Sequence, residues 1–127
     1  MRGATKMQTK LFDSEFKLMN LLWEHEPTSA KELTTLAAEQ YEWNKNTTYT
    51  VINKLIKKGV IERSEPGFQC TSLLGKKDAA REETHSLIER MFSGSRKAFF
   101  ASFIDDKGIS EEERKELIEM LKNHKTK

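Results

Sequence analysis

The sequence predicts a mainly α-helical chain with one small β-hairpin. Apolar residues recur at three- and four-residue intervals in six segments, and a Pro66–Gly67 turn separates two short strand-like segments near the middle of the chain. Charged residues make up 33% of the 127 positions and hydrophobic residues 36%, which is enough for one small core with a helical addition. We therefore expect three helices, a hairpin and three further helices, in that order.

The first two helices are predicted by apolar periodicity and by capping residues. The first covers residues 11–26, and Asp13 or Ser14 is placed to cap its start. The second begins with Ser29 and Glu32, which have the spacing of a capping box. Its buried stripe is expected to consist of Ala30, Leu33 and Ala37.

The third helix, predicted over residues 46–58 and ended by Gly59, has two unlike sides. The segment 43–60 contains four lysines and no acidic residue. Asn bonds bidentately to adenine, Thr contacts the thymine methyl group, and Lys reaches guanine or phosphate. The polar side therefore suits the major groove of DNA, although a solvated, lysine-rich surface helix has the same pattern. Four polar residues fall within about 60° of one another on an ideal helix: Asn46, Thr50, Asn53 and Lys57.

The neighbours of the third helix favour DNA binding. A capped helix precedes it and a hairpin of residues 60–63 and 68–71 follows it, which is the order of a winged helix-turn-helix. Thr28 and Ser29 are either phosphate contacts or caps only, and Arg63 in the hairpin either contacts phosphate or is solvated. The predicted DNA-binding residues are Thr28, Ser29, Lys45, Asn46, Thr47, Thr50, Asn53, Lys54, Lys57 and Arg63.

The chain divides into a flexible tail over residues 1–10, the winged-helix domain over 11–75 and a helical dimerisation region over 76–127. Ser110 and Glu113 are spaced to cap the last helix. Burying one Phe side chain is worth roughly 1.5–3 kcal/mol, so four phenylalanines on short helices favour a two-fold partner. The alternative is that they pack back on the first domain in a monomer. The predicted dimerisation residues are Leu87, Met91, Phe92, Phe99, Phe100, Phe103, Ile104, Leu117 and Leu121.

Several functional classes are disfavoured. The sequence has no nucleophile elbow and no glycine-rich phosphate loop, so we expect neither catalytic residues nor an enzyme. Cys70 is the only cysteine and the three histidines lack metal-ligand spacing, so neither a metal nor a cofactor is expected. No apolar stretch is long enough for membrane insertion, and we expect a cytoplasmic protein. A winged helix that binds another protein remains an alternative function.

Two segments carry a resemblance to a known family. Asp13–Trp23, DSEFKLMNLLW, resembles the opening helix of the penicillinase repressor and methicillin-resistance repressor family. Trp43–Gly59, WNKNTTYTVINKLIKKG, is similar to its recognition helix, in which Trp precedes a Thr-x-x-Thr pair and Lys-Gly closes the helix. The resemblance covers residues 11–75 well and the C-terminal helices more loosely. In the hairpin, the family's aromatic run is reduced to Phe68.

The resemblance implies a homodimeric repressor of palindromic operator DNA that controls β-lactam resistance or a related response. It also implies a membrane sensor-transducer with a metallopeptidase domain, which acts upstream and leads to cleavage in the dimerisation region. The bond matching the family's Asn-Phe bond is Ser102–Phe103, where Ser replaces Asn. The paired Cys-x-Cys motifs of the copper-responsive branch are absent. The alternative is a repressor of an unrelated regulon that a small-molecule ligand releases.

Overall fold

The computed structural model describes residues 10–104 and 108–125, which form six helices and three short strands. The predicted fold class, a winged helix followed by a helical region, is confirmed. The predicted tail lies outside the described residues except for Lys10. In chain order, the elements are α1 (Asp13–His25), β1 (Thr28–Ser29), α2 (Ala30–Tyr41), α3 (Lys45–Lys57), β2 (Ile61–Ser64), β3 (Gln69–Ser72), α4 (Lys76–Phe92), α5 (Arg96–Ile104) and α6 (Glu111–Asn123).

The first three helices pack around one apolar core. The expected stripe of α2 is confirmed, because Ala30, Leu33 and Ala37 are all fully buried. Burial of these side chains and their neighbours supplies the main stabilisation of the winged helix. The larger buried members of the core are Leu18, Met19, Leu22, Leu33, Ile52, Leu55 and Ile61.

The helix ends follow local hydrogen bonding. Ser29 caps α2 as predicted, since its Oγ accepts the Glu32 N–H at 3.0 Å. The predicted cap of α1 is wrong, because Asp13 and Ser14 already lie within the helix. The residue before them supplies the first bond instead: the Phe12 N–H donates to Glu15 Oε1 at 2.8 Å. A carboxylate three residues into a helix satisfies the free N–H at its start equally well.

Helix α3 has a clear beginning and end. The Asn44 side chain accepts the Thr47 N–H at 2.8 Å and caps it. Gly59, at φ +81°, turns the chain out of the helix, and the Val60 N–H donates back to the Leu55 carbonyl at 2.9 Å. The left-handed conformation after a helix favours glycine because it lacks a Cβ. The predicted stop at Gly59 is therefore confirmed.

The sheet has three strands where the sequence predicted two. The hairpin pairs β2 with β3, and β1 adds to the other edge of β3, giving the order β1–β3–β2 with both pairings antiparallel. Thr28 lies opposite Cys70, and Ser29 lies opposite Gln69. The third strand was missed because two residues before a helix are too short to show a period-two pattern.

The chain forms two compact units, one extending to Glu82 and the other beginning at Glu83, so that the division falls inside α4. The predicted division lay at the start of that helix. In the second unit, Phe99 is in ring contact with Phe92, Phe100 and Phe103, at centroid distances of 5.7, 5.6 and 4.9 Å. Helices α5 and α6 nevertheless contain no buried residue.

Candidate nucleic-acid interface

Helix α3 presents opposite sides to the core and to solvent. Thr48, Val51, Ile52 and Leu55 are buried. The first turn of α3 contains no acidic residue, and its last turn contains Lys54 and Lys57. The free N–H groups at the start of the helix and these lysines give this surface a positive character. All seven candidate DNA-binding residues on α3 are exposed: Lys45, Asn46, Thr47, Thr50, Asn53, Lys54 and Lys57.

Lys58, which directly follows α3, has a role inside the protein. Its Nζ lies 2.8 Å from Glu15 Oε1 and donates to the Lys10 carbonyl at 2.9 Å. It also lies 4.8 Å from the centre of the Phe12 ring. The Glu15 side chain is only 3% exposed, so Lys58 supplies the countercharge of a buried carboxylate. The sequence signal for this pair was the lone acid on the apolar side of α1.

The two candidates before α2 have roles within the protein. Thr28 is buried in β1, and the Ser29 hydroxyl is engaged by the Glu32 N–H. Ser29 therefore acts as a cap, and the burial of Thr28 disfavours a phosphate contact there. The hairpin of β2, β3 and the turn between them forms the wing. The start of α2 is bonded to this wing as well, because the Ala30 N–H donates to the Phe68 carbonyl at 2.9 Å.

The wing holds Arg63 in a defined position at its tip. The guanidinium carbon lies 3.6 Å from the centre of the Phe68 ring, and Nε donates to Glu65 Oε2 at 2.5 Å. The second Glu65 oxygen accepts the Phe68 N–H at 3.2 Å. The hydrogen bond from Arg63, followed by the one from Phe68, lowers the pKa of the Glu65 carboxyl below its ordinary value. The carboxylate is therefore ionised at neutral pH.

Phe68 also connects the wing to helix α3. Its ring centre lies 5.9 Å from that of Tyr49, and the two planes are tilted by 52°. Tilted aromatic pairs at this separation are attractive beyond their apolar burial. The wing tip, the start of α2 and helix α3 thus share one aromatic residue. Sequence reasoning missed this role, because a single Phe in a strand carries no distinctive pattern.

The buried thiol offers no reactive group. Cys70 is free and fully buried in β3. Burial raises its pKa to about 11, while the positive charge of Arg63 acts in the opposite direction. At neutral pH the sulfur is protonated and a poor nucleophile or ligand.

Metal-binding clusters and membrane-spanning helices were sought among the described residues. Within residues 10–104 and 108–125, no group of three or more His, Cys, Asp and Glu side chains is placed to hold a metal ion. Across the same ranges, no helix has both the length and the apolar character to cross a membrane.

The fold and this surface define a winged helix-turn-helix transcription regulator. Its parts are the capped helix α2, a short turn, helix α3 with an exposed side that lacks acidic residues, and the small wing. The chain belongs to the penicillinase repressor family, whose model matches residues 11–123. It is accordingly a transcriptional repressor and DNA-binding regulator of that family, and not an enzyme.

The sequence is similar to those of curated relatives over most of its length. It is 26% identical over 120 residues to the penicillinase repressor of Bacillus licheniformis, covering 93% of this chain and 94% of the relative. It is 26% identical over 114 residues to the methicillin resistance regulatory protein MecI of Staphylococcus aureus strain N315, covering 88% and 93%. The penicillinase repressor of Staphylococcus aureus is 24% identical over 116 residues, covering 90% and 92%.

Proposed function

We propose that this repressor binds palindromic operator DNA as a homodimer, with one α3 helix in each major-groove half-site. The observation that carries the proposal is the exposed side of α3, on which amide, hydroxyl and ammonium groups occur without a carboxylate. A surface of this composition attracts phosphate and offers bonds to base edges. Thr28 is left out of the contact set because its side chain is buried.

Within α3 the proposed roles follow from residue type. Asn46, Thr50 and Asn53 supply base contacts, since amides and hydroxyls discriminate between base edges. Lys45, Lys54 and Lys57 contact phosphate or guanine, and Arg63 contacts the backbone from the wing. The buried face of α3 fixes the helix against the core, so the polar face keeps one orientation.

Dimerisation is supported by the apolar surface of the second unit. Apolar residues of α4, α5 and α6 remain exposed in the single chain, including Met120, which the sequence did not single out. Monomeric proteins seldom expose so many large apolar side chains together. In a two-fold dimer, this surface of each chain would be buried against the same surface of the other. The most exposed of them are Met91 at 65%, Phe100 at 54%, Phe103 at 47%, Ile104 at 71%, Met120 at 65% and Leu121 at 71%.

Release by proteolysis is the proposed route of induction, with a membrane sensor-transducer upstream and β-lactam resistance, or a related response, under control. Ser102 and Phe103 are both exposed and lie in the last turn of α5, which ends at Ile104. Cutting α5 there separates apolar residues of the proposed interface. The dimer, which binds two half-sites at once, then becomes two monomers that each bind one half-site weakly. Intact-mass measurement of the repressor from induced cells tests this step, and an uncut chain during derepression contradicts it.

Selection from a random duplex library tests DNA binding and recovers the operator sequence in the same experiment. We expect an inverted repeat whose half-sites lie about one helical turn, or a multiple of it, apart. Asn53→Ala should relax the base preference at one position in each half-site. Lys54→Glu should abolish binding of the selected duplexes. Lys77→Glu, the same charge reversal at an exposed position outside α3, is the matched control. Failure to enrich any sequence, or binding unchanged in Lys54→Glu, contradicts the proposal.

A further inference from the structure

The wing tip contains an acidic residue on a surface where a DNA-binding protein would be expected to avoid one. Glu65 is exposed and ionised, and it lies beside Arg63, the wing's proposed phosphate contact. Carboxylates ordinarily weaken DNA binding through repulsion of the phosphates. The geometry around this one indicates a different effect.

Glu65 and Phe68 hold the Arg63 guanidinium on two sides. The guanidinium carbon lies over the Phe68 ring, 3.6 Å from its centre, and Glu65 Oε2 accepts a hydrogen bond from Nε at 2.5 Å. No described residue accepts a hydrogen bond from the two terminal Nη groups. The outer fork of the guanidinium, which matches a phosphate in geometry, is therefore open while the rest of the side chain is held.

The support is itself attached to the DNA-reading part of the fold. Glu65 Oε1 accepts the Phe68 N–H, so one carboxylate holds both the arginine and the residue beneath it. Phe68 contacts Tyr49 of α3 through its ring, and its carbonyl accepts the Ala30 N–H at the start of α2. The position of Arg63 is thus set relative to the recognition helix and not by the wing alone.

We propose that Glu65 is a positioning residue that orients Arg63 for a DNA phosphate, so that this acidic side chain increases the affinity for DNA. The inference rests on the proposed DNA binding of the winged helix. A free arginine loses rotamer freedom on binding phosphate, and a pre-positioned one has already lost most of it. Removal of this particular negative charge should therefore weaken binding, which is the reverse of the electrostatic expectation.

The test measures binding to a random-sequence duplex of about 30 base pairs between roughly 50 and 200 mM salt, since phosphate contacts need no operator. Arg63→Ala should weaken binding roughly tenfold and lower the salt slope by about 1. Glu65→Ala should weaken it by about twofold to fivefold, and Glu65→Gln should fall between wild type and Glu65→Ala. In the Arg63→Ala background, Glu65→Ala should have no weakening effect.

Glu62→Ala is the matched control, because Glu62 is also exposed, neighbours Arg63 on β2 and forms no ion pair among the described residues. It should bind DNA as tightly as wild type or more tightly. Equal or tighter binding by Glu65→Ala overturns the inference, as does weakening by Glu65→Ala that persists without Arg63. If wild type itself does not bind, or Lys54→Ala binds like wild type, the proposed function fails instead.

Discussion

The two units of the chain bury their apolar residues to very different extents. In the first unit, helices α1–α3 and the sheet enclose a continuous core in which Leu18, Leu22 and Ile52 are fully buried. In the second unit, α5 and α6 have no buried residue, although their sequences supply Phe, Ile, Leu and Met at helical spacing. The same kinds of side chain are thus buried in the first unit and, apart from Ile88 of α4, exposed or half-buried in the second.

This difference indicates where each unit obtains its stability. Burial of apolar area is the main favourable term in folding, and the first unit satisfies it within one chain. The second unit does so only in part: Ile88 of α4 is buried, but the aromatic cluster around Phe99 leaves Phe100 and Phe103 about half exposed. We therefore expect the first unit to be stable by itself, and the second to gain further stability from the dimer proposed above.

The largest expected effect is on association of the second unit. Leu121→Asp removes a side chain that is 71% exposed in one chain and that would occur twice in the proposed two-fold interface. Losing roughly 1.5–3 kcal/mol per copy weakens the dimer by about a hundredfold or more. Analytical ultracentrifugation measures this, and thermal unfolding of the first unit should stay unchanged.

Lys122→Asp is the control for that substitution, because it introduces the same side chain at the adjacent exposed position. A dimer as stable in Leu121→Asp as in Lys122→Asp would mean that the apolar side of α6 is not the interface. The comparison between the two units would then rest on α4 and α5 alone.

The next largest effect distinguishes Lys54, in the last turn of α3, from Lys58, which directly follows that helix. Lys58→Ala leaves Glu15 buried without its countercharge and should lower the free energy of unfolding by roughly 3 kcal/mol. Lys54→Ala, at an exposed position, should change it by less than about 0.5 kcal/mol while weakening DNA binding. Chemical denaturation of both variants checks this division, and equal stability losses would contradict it.

These two lysines also show how far the sequence could predict the structure. The spacing of polar residues correctly predicted the exposed side of α3, since periodicity fixes which residues share a face. It did not predict the Lys58–Glu15 pair, which joins residues 43 positions apart and depends on how α1 packs against α3. The contact of Phe68 with Tyr49 was missed for the same reason. Local patterns predict elements and faces, whereas long-range pairs require the packed fold.

The smallest expected effect compares two serine helix caps with the same hydrogen-bond length. Ser29 and Ser110 each accept the N–H of the third helical residue at 3.0 Å, one at the start of α2 and the other at the start of α6. Loss of such a cap costs about 1 kcal/mol. In Ser29→Ala this cost should appear in cooperative unfolding of the first unit, because α2 is held in its core.

In Ser110→Ala the same cost should appear elsewhere. Helix α6 has no buried residue in the single chain, so cap loss should fray α6 and weaken the dimer without moving the first unit's unfolding transition. Amide hydrogen exchange distinguishes the two responses, since fraying exposes the N–H groups near Glu113 alone. If Ser110→Ala instead destabilised the first unit as much as Ser29→Ala does, the two units would unfold as one. The contrast in burial would then describe two parts of a single cooperative body, and the apolar residues of α6 would stabilise the fold within one chain.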